Sequence, residues 1–229
     1  MPLLSVIVPV YNEARTVAQI IEKIREVPLD KEIIIIEDCS TDGTLNVLQD
    51  ILKKSGSYGT KVIYHSDNQG KGASVKDGLR EASGEFVVIQ DADLEYDPRE
   101  YTHLLRPLQE NQADLVLGSR FNSGHTGLAI HRLGNRFLTG MVNCLFGARL
   151  NDYATCYKMA RKVTFDDLNL KVDGFHIDVE IVCKALKRRL RIIEVPIAYY
   201  PRGYADGKKI RWFHGLQAIV SILRHRFAG

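Results

Sequence analysis

Apolar residues over the first 119 positions fall into two alternating patterns. Five short runs, LSVIVPV (4–10), IIIIED (33–38), KVIYHS (61–66), FVVIQD (86–91) and DLVLGS (114–119), lack a polar face. Such runs predict parallel strands covered on both sides. Between them the period changes. Val17, Ile20, Ile21 and Ile24 stand at i, i+3, i+4 and i+7, the stripe of an amphipathic helix. Thr44–Lys54, with Leu48, Ile51 and Leu52 on one face, predicts a second helix, Lys71–Ser83 a third and Arg99–Glu110 a fourth. Strand and helix in alternation predict an α/β fold with a mainly parallel sheet and right-handed crossovers.

After Ser119 the rhythm breaks. Residues 120–132 hold Gly124, Gly127 and polar residues and read as a long loop. A helix at about 133–146, an irregular stretch around NDYATCYKM (151–159), a helix at about 176–189 and a strand RIIEVPIAYY (191–200) follow. PRGYADGKK (201–209) reads as a loop and Ile210–Phe227 as a closing amphipathic helix. The expectation is one domain, 1–229, with a nucleotide-binding-like half (1–119) and an accessory half (120–229).

Composition fits that picture. The chain is 45% hydrophobic and 26% charged, ordinary for a soluble, well-cored protein. MPLLSVIVPVYNE has no basic start or cleavage site and reads as a first strand, not a leader. No apolar run approaches the roughly 18–20 residues of a membrane span, so a non-spanning, cytoplasmic protein is expected. Cys39, Cys144, Cys156 and Cys183 are scattered and read as reduced structural thiols. The seven histidines form no HExxH, which argues against a zinc hydrolase. Net charge is uneven: Lys+Arg minus Asp+Glu is 20 − 26 = −6 for residues 1–183 and 11 − 2 = +9 for 184–229. The basic end suits an anionic partner, or is simply a solvated helix.

Ligands of open α/β sheets sit beyond the carboxyl ends of the strands. Four polar clusters fall there: VPVYNE (8–13), EDCSTDGT (37–44), NQGKG (68–72) and QDADLE (90–95). Each alone is a turn, and Asp42 or Thr44 can act as a helix cap. Together they predict a site. Asp91, Asp93, Glu95 and Asp97 occupy every second position, one face of an extended chain. Asp91 and Asp93 suit a divalent cation, with Glu95 a possible third oxygen, because Mg²⁺ takes one or two carboxylates and completes its shell with substrate phosphates. Asp97 before Pro98 reads as the start of the next helix.

VPVYNE, EDCSTDGT, NQGKG, DAD after FVVIQ, and GSRF (118–121) form a series that resembles the family-2 glycosyltransferases of GT-A fold, over residues 3 to about 227. GSRF, TCYK (155–158), EVPI (194–197) and GKKI (207–210) look most like the polyprenyl-phosphate sugar synthases of the dolichyl-phosphate mannose synthase type. The resemblance implies an inverting transferase that uses Mg²⁺ or Mn²⁺ to move mannose or glucose from GDP-mannose or a UDP-hexose to a polyprenyl phosphate. It implies that Pro9, Tyr11, Glu13, Ile36 and Asp38 surround the nucleotide. Asp91 and Asp93 would hold the metal, and Ala92 would let the nucleotide pack closely. Glu95 stands where relatives often carry Gln. Arg120 would meet a phosphate and Arg132 would grip the acceptor phosphate; Arg202 and Lys208 or Lys209 would close over the diphosphate. No nucleic-acid partner is implied.

The chemistry suits these residue types. Departure of a nucleoside diphosphate leaves negative charge that a metal and Arg/Lys neutralise. A phosphate-monoester acceptor is already anionic and needs holding, which Arg does bidentately; a hydroxyl acceptor needs a general base. Asp152 stands at the family's acidic acceptor position and is open between base, positioning residue and turn cap. Glu180 belongs either to the acceptor pocket or to the framework, and His176 and His214 read as ordinary histidines. The tail, with Trp212, Phe213, Leu216, Ile219, Val220 and Leu223 among Lys208, Lys209, Arg211, Arg224 and Arg226, fits either the core or a headgroup layer. Attachment to the membrane would then be peripheral or through a membrane-protein partner. Alternatives are the same donor chemistry with a saccharide or other hydroxyl acceptor, and an idle nucleotide-sugar-binding module. A nucleotidyltransferase would open with a glycine-rich basic loop, which VPVYNE lacks.

Overall fold

The computed structural model describes residues 1–55, 59–120, 129–202 and 212–228. Strands β1 (Leu4–Val10), β2 (Lys31–Glu37), β3 (Thr60–Tyr64) and β4 (Phe86–Ile89) form the parallel part of the sheet. Helices α1 (Val17–Glu26), α2 (Thr44–Ser55) and α3 (Lys71–Glu81) connect them. Val17, Ile20, Ile21 and Ile24 are all fully buried, as their spacing predicts. Each contributes about 1.5–3 kcal/mol of apolar burial.

A single 3-10 turn (Pro98–Glu100) and α4 (Tyr101–Gln109) lead to β5 (Leu115–Ser119), and α5 covers Ala129–Phe146. Three features depart from the sequence reading. The end of the expected 120–132 loop is already helical, because α5 begins at Ala129. The stretch taken as irregular ends in β6 (Lys158–Arg161), antiparallel to both β4 and β5, followed by α6 (Lys162–Leu168). The expected strand 191–200 is only β7 (Ile192–Pro196): Ile197 N still donates to Ser119 O at 3.1 Å, but Ser119 is the last residue of the neighbouring strand. After α7 (Ile177–Lys187) and β7, α8 (Trp212–Phe227) packs on α7 and α5.

The seven-stranded order is β3-β2-β1-β4-β6-β5-β7, all parallel except β6. The carboxyl ends of β1, β2, β4 and β5 therefore open on one edge, with α3 and α7 beside it. This is the GT-A arrangement. No helix among the described residues is long and apolar enough to cross a membrane.

Candidate functional site

The loops after β1 and β2 are laced into one unit. Asn12 N donates to Ser40 Oγ (2.9 Å) while its Oδ1 accepts from Thr41 N (2.7 Å). Asp42 accepts from Ala14 N and Thr44 N, both at 3.1 Å, so its capping role is real and also spans the two loops. Asn12, Cys39 and Leu94 all have positive φ (52°, 59° and 64°). Such strained residues concentrate where the chain is held in shape for a ligand.

Asp38, buried at the end of β2, forms the floor. Its Oδ1 accepts from Gln69 N (2.8 Å) and contacts His65 Nδ1 (2.7 Å), and its Oδ2 accepts from Gly70 N (2.9 Å). Burial works against a charged His65, but Asp38 and Asp77 on either side outweigh it and raise its pKa. Pro9 pairs in register with Ile36. Ile36 differs from expectation: its side chain is fully buried beneath α3, where a Cβ on Gly78 would come within 3.0 Å of it, so it belongs to the core.

The acidic row does not continue as a strand. β4 stops at Ile89, and residues 92–95 turn through Leu94 at positive φ, so the one-face expectation fails. Gln90, fully buried, fixes the turn: its Oε1 accepts from Tyr101 and Tyr157 hydroxyls (2.6 Å each) and its amide donates to Asp91 O (2.9 Å). The four carboxylates then separate. Asp97 caps the 3-10 turn, accepting from Arg99 N at 3.0 Å. Glu95 accepts from Tyr199 Oη (2.8 Å) and Arg202 N (2.9 Å), lashing the turn to the segment after β7. Among the described residues no three His, Cys, Asp or Glu side chains converge as metal ligands, so Glu95 as a third oxygen is not supported.

Asp91 and Asp93 remain, each with a cation. Lys71 Nζ lies 2.9 Å from Asp91 Oδ1, and Arg202 Nη2 lies 3.2 Å from Asp93 Oδ2 while also gripping Glu13 at 3.0 and 3.1 Å. Burial, with Asp91 and Glu95 nearby, pushes the Asp93 carboxyl up to about 7 against the pull of Arg202. Negative charge is thus incompletely balanced there, and two hard carboxylates are the donor type that Mg²⁺ or Mn²⁺ takes. Ala92, between them, is buried, and Tyr11 is half-buried at the end of β1.

A second ionic cluster stands beyond Tyr199. Asp152, fully buried, receives Arg120 Nε and Nη2 at 2.7 Å each, Arg120 N at 3.2 Å and Asn135 Nδ2 at 3.1 Å. Its own backbone N–H is held by Glu194 (2.7 Å), and the Arg120 guanidinium lies 5.3 Å from the Tyr199 ring centre. Asp152 thus fixes the direction of the Arg120 guanidinium. Arg132 is exposed on α5, on the chain segment leading to that cluster. Glu180 is a framework carboxylate, accepting from Lys171 N and Val172 N and pairing with Lys184. Lys208, Lys209 and Arg211 lie outside the described residues.

Sequence reasoning passed over Lys71, Lys158 and Asp178. The signal was present: Lys71 sits inside NQGKG, and Lys158 is a charge between apolar neighbours in CYKMA, a pattern that demands a buried partner. Both of its glycines are steric. A Cβ on Gly70 or Gly72 would meet backbone of Asp173 or Val172 at 2.7 or 2.2 Å, so the start of α3 can press against the segment before α7.

Known proteins share this design. The chain is 30% identical over 200 residues to glycosyltransferase AglJ of Haloferax volcanii, covering 86% of this chain and 63% of the relative. It is 28% identical over 211 residues to a dolichol-phosphate mannosyltransferase of Pyrococcus furiosus, covering 89% and 58%. The chain thus spans under two thirds of the length of these relatives. Among solved structures, glucosyl-3-phosphoglycerate synthase of Mycobacterium tuberculosis with Mn²⁺, UDP and glucosyl-3-phosphoglycerate superposes with a TM-score of 0.73 at 21% identity, covering 98% of this chain and 80% of that one. The same fold with Mg²⁺ and UDP gives 0.71. The description Glycosyl transferase family 2 matches residues 5–168, and with the shared fold and motif order this establishes that the chain belongs to the family-2 glycosyltransferases.

Proposed function

We propose that the protein transfers a hexose, mannose or glucose, from a nucleotide sugar to a polyprenyl phosphate, with inversion and with Mg²⁺ or Mn²⁺ at Asp91 and Asp93. The observation that carries the choice of acceptor is the state of Asp152. A hydroxyl acceptor requires a base, and the acidic residue at the acceptor side is buried and fully engaged by Arg120 and Asn135. A phosphate monoester arrives ionised and needs no proton removed.

Each part of the chain then has a task. Asp38 accepts from the base, with Pro9 and Tyr11 beside it, and Glu13 holds Arg202 over the donor diphosphate. Arg120, oriented by Asp152 and Tyr199, and Arg132 hold the acceptor phosphate in line with the sugar. Lys209 extends the donor contacts. The bound ion, for its part, neutralises charge on the departing diphosphate.

Attachment at the cytosolic membrane face fits α8. Leu216, Val220, Leu223 and Phe227, at i, i+4, i+7 and i+11, are all exposed, opposite the buried Ala218 and Ile222. With the +9 charge of 184–229 (11 − 2), an anionic lipid surface matches this stripe better than a second, equally basic copy. Flotation with anionic but not neutral vesicles, lost in Val220→Asp, is expected; no flotation with either removes the membrane reading.

The test of the activity uses GDP-mannose and UDP-glucose with Mn²⁺ and three acceptors: a polyprenyl phosphate, the same polyprenol without phosphate, and a free hexose. Product with the phosphate alone is expected. Equal transfer to a hydroxyl overturns the acceptor, and stabilisation of the fold by a nucleoside diphosphate with no transfer to any acceptor favours the idle module.

A further inference from the structure

The donor chemistry does not explain why Lys71 has two anionic partners. Its ammonium stands 2.9 and 3.2 Å from the two oxygens of Asp91, after β4, and 3.2 Å from Asp178 Oδ2, on α7. Lys158, fully buried in β6, holds the other oxygen of Asp178 at 2.8 Å. Charges therefore alternate along a row: Asp91, Lys71, Asp178, Lys158. Asp178 also sits in the first turn of α7, where the helix N-terminus favours an anion.

The backbone of Lys71 cannot withdraw from this row. Ala73 N donates to Asp173 O at 3.0 Å, and Gly72 has no room for a Cβ against Val172. Only the four-carbon side chain can swing. A protein ammonium on Asp91 competes with any cation from solution, and repels a bare divalent ion that comes without its own anion. A diphosphate changes the balance, because it supplies negative charge to the ion and to the displaced ammonium together.

We propose that Lys71 is an internal counter-ion that closes Asp91 to a bare divalent cation and shifts onto Asp178 when the ion enters with a diphosphate. The metal is then admitted with the nucleotide rather than ahead of it. This rests on the reading of Asp91 and Asp93 as the metal carboxylates and adds the order of loading. Asp178 is a positioning residue in it, reached by no reacting atom.

Binding of Mn²⁺, followed by loss of the free-ion electron paramagnetic resonance signal on the whole chain, tests this without turnover. In the unmodified protein GDP or UDP should tighten Mn²⁺ binding by about tenfold or more, within the usual span of coupled sites. Lys71→Met should tighten binding of Mn²⁺ alone by about tenfold and reduce the nucleotide effect. Asp178→Asn should weaken binding of Mn²⁺, because Lys71 is left with Asp91 as its carboxylate partner. Lys71→Arg, which keeps the charge, should retain the nucleotide effect. Melting temperatures show which variants are folded; should Lys71→Met not fold, weaker Mn²⁺ binding in Asp178→Asn beside a retained nucleotide effect in Lys71→Arg carries the test. Unchanged or weaker Mn²⁺ binding in a folded Lys71→Met, or tighter binding in Asp178→Asn, overturns the proposal while leaving the metal site intact. No Mn²⁺ binding to the unmodified protein even with both diphosphates overturns the metal reading and this proposal with it.

Discussion

Two ionic clusters flank Tyr199 and are closed in different ways. Around Asp152 every carboxylate oxygen has a donor at short range, the backbone is pinned by Glu194, and the Arg120 guanidinium lies beside an aromatic ring. Around Asp91 and Asp93 the partners are the ends of two long side chains, Lys71 and Arg202, each shared with another carboxylate, and burial among like charges holds Asp93 near 7. In the first cluster the carboxylate is saturated by protein donors, which fixes the guanidinium proposed to meet the acceptor phosphate. The second is balanced by groups that can leave. A polar cluster with transferable partners is where a ligand exchanges for protein contacts, and one with saturated partners is where geometry is stored.

Substitutions in the two clusters should separate these roles. Asp93→Asn should have the largest effect on activity, lowering the transfer rate by about a thousandfold or more while changing melting little. Near-normal transfer in metal-free buffer would contradict it. Asp152→Asn should act chiefly on stability, with acceptor binding weakened as Arg120 loses its orientation. It leaves a buried guanidinium short of its anion, at a cost of about 3–5 kcal/mol, or roughly 10 °C in melting temperature; a variant that melts normally would remove the framework role. Arg132→Ala, at an exposed position, should raise KM for the acceptor by about tenfold, one charged hydrogen bond, and leave KM for the donor nearly unchanged; equal effects on both would assign it to the donor.

The smallest effect concerns pH. His65 lies between Asp38 and Asp77, with Arg80 paired to Asp77 from outside. Its folded pKa is raised, so the stability it contributes is complete below its unfolded value of about 6.5 and is lost as pH rises through the folded value. The stability gap between the unmodified protein and His65→Asn should therefore be widest near pH 5.5 and narrow by about pH 9. A gap that widens with pH would contradict the assignment of charge to His65.

Much of the front half was legible because its strands are apolar on both faces and its helices carry clean stripes, as with Ile20, Ile21 and Ile24. β6 was not legible. It is four residues long, contains a buried lysine and two antiparallel neighbours, and so shows neither an apolar run nor a strand period. The site followed the same division. Strand-end position placed Asp38, Asp91 and Asp93 at the carboxyl edge of the sheet, but side-chain direction depends on long-range partners. Glu95 turned to Tyr199 and Ile36 turned under α3 for reasons that sit more than a hundred and about forty residues away, respectively, in Tyr199 and Gly78. Lys71 and Asp178, 107 residues apart, meet only because two glycines let α3 approach the segment before α7.

The central claim is tested most directly by a crystal structure with Mn²⁺ and GDP or UDP, read from the anomalous signal of manganese. A peak bound by both Asp91 and Asp93, with Lys71 drawn onto Asp178 and Arg202 onto the diphosphate, is the predicted result. A bound diphosphate with no such peak, and with Lys71 and Arg202 still seated on the two aspartates, would contradict it.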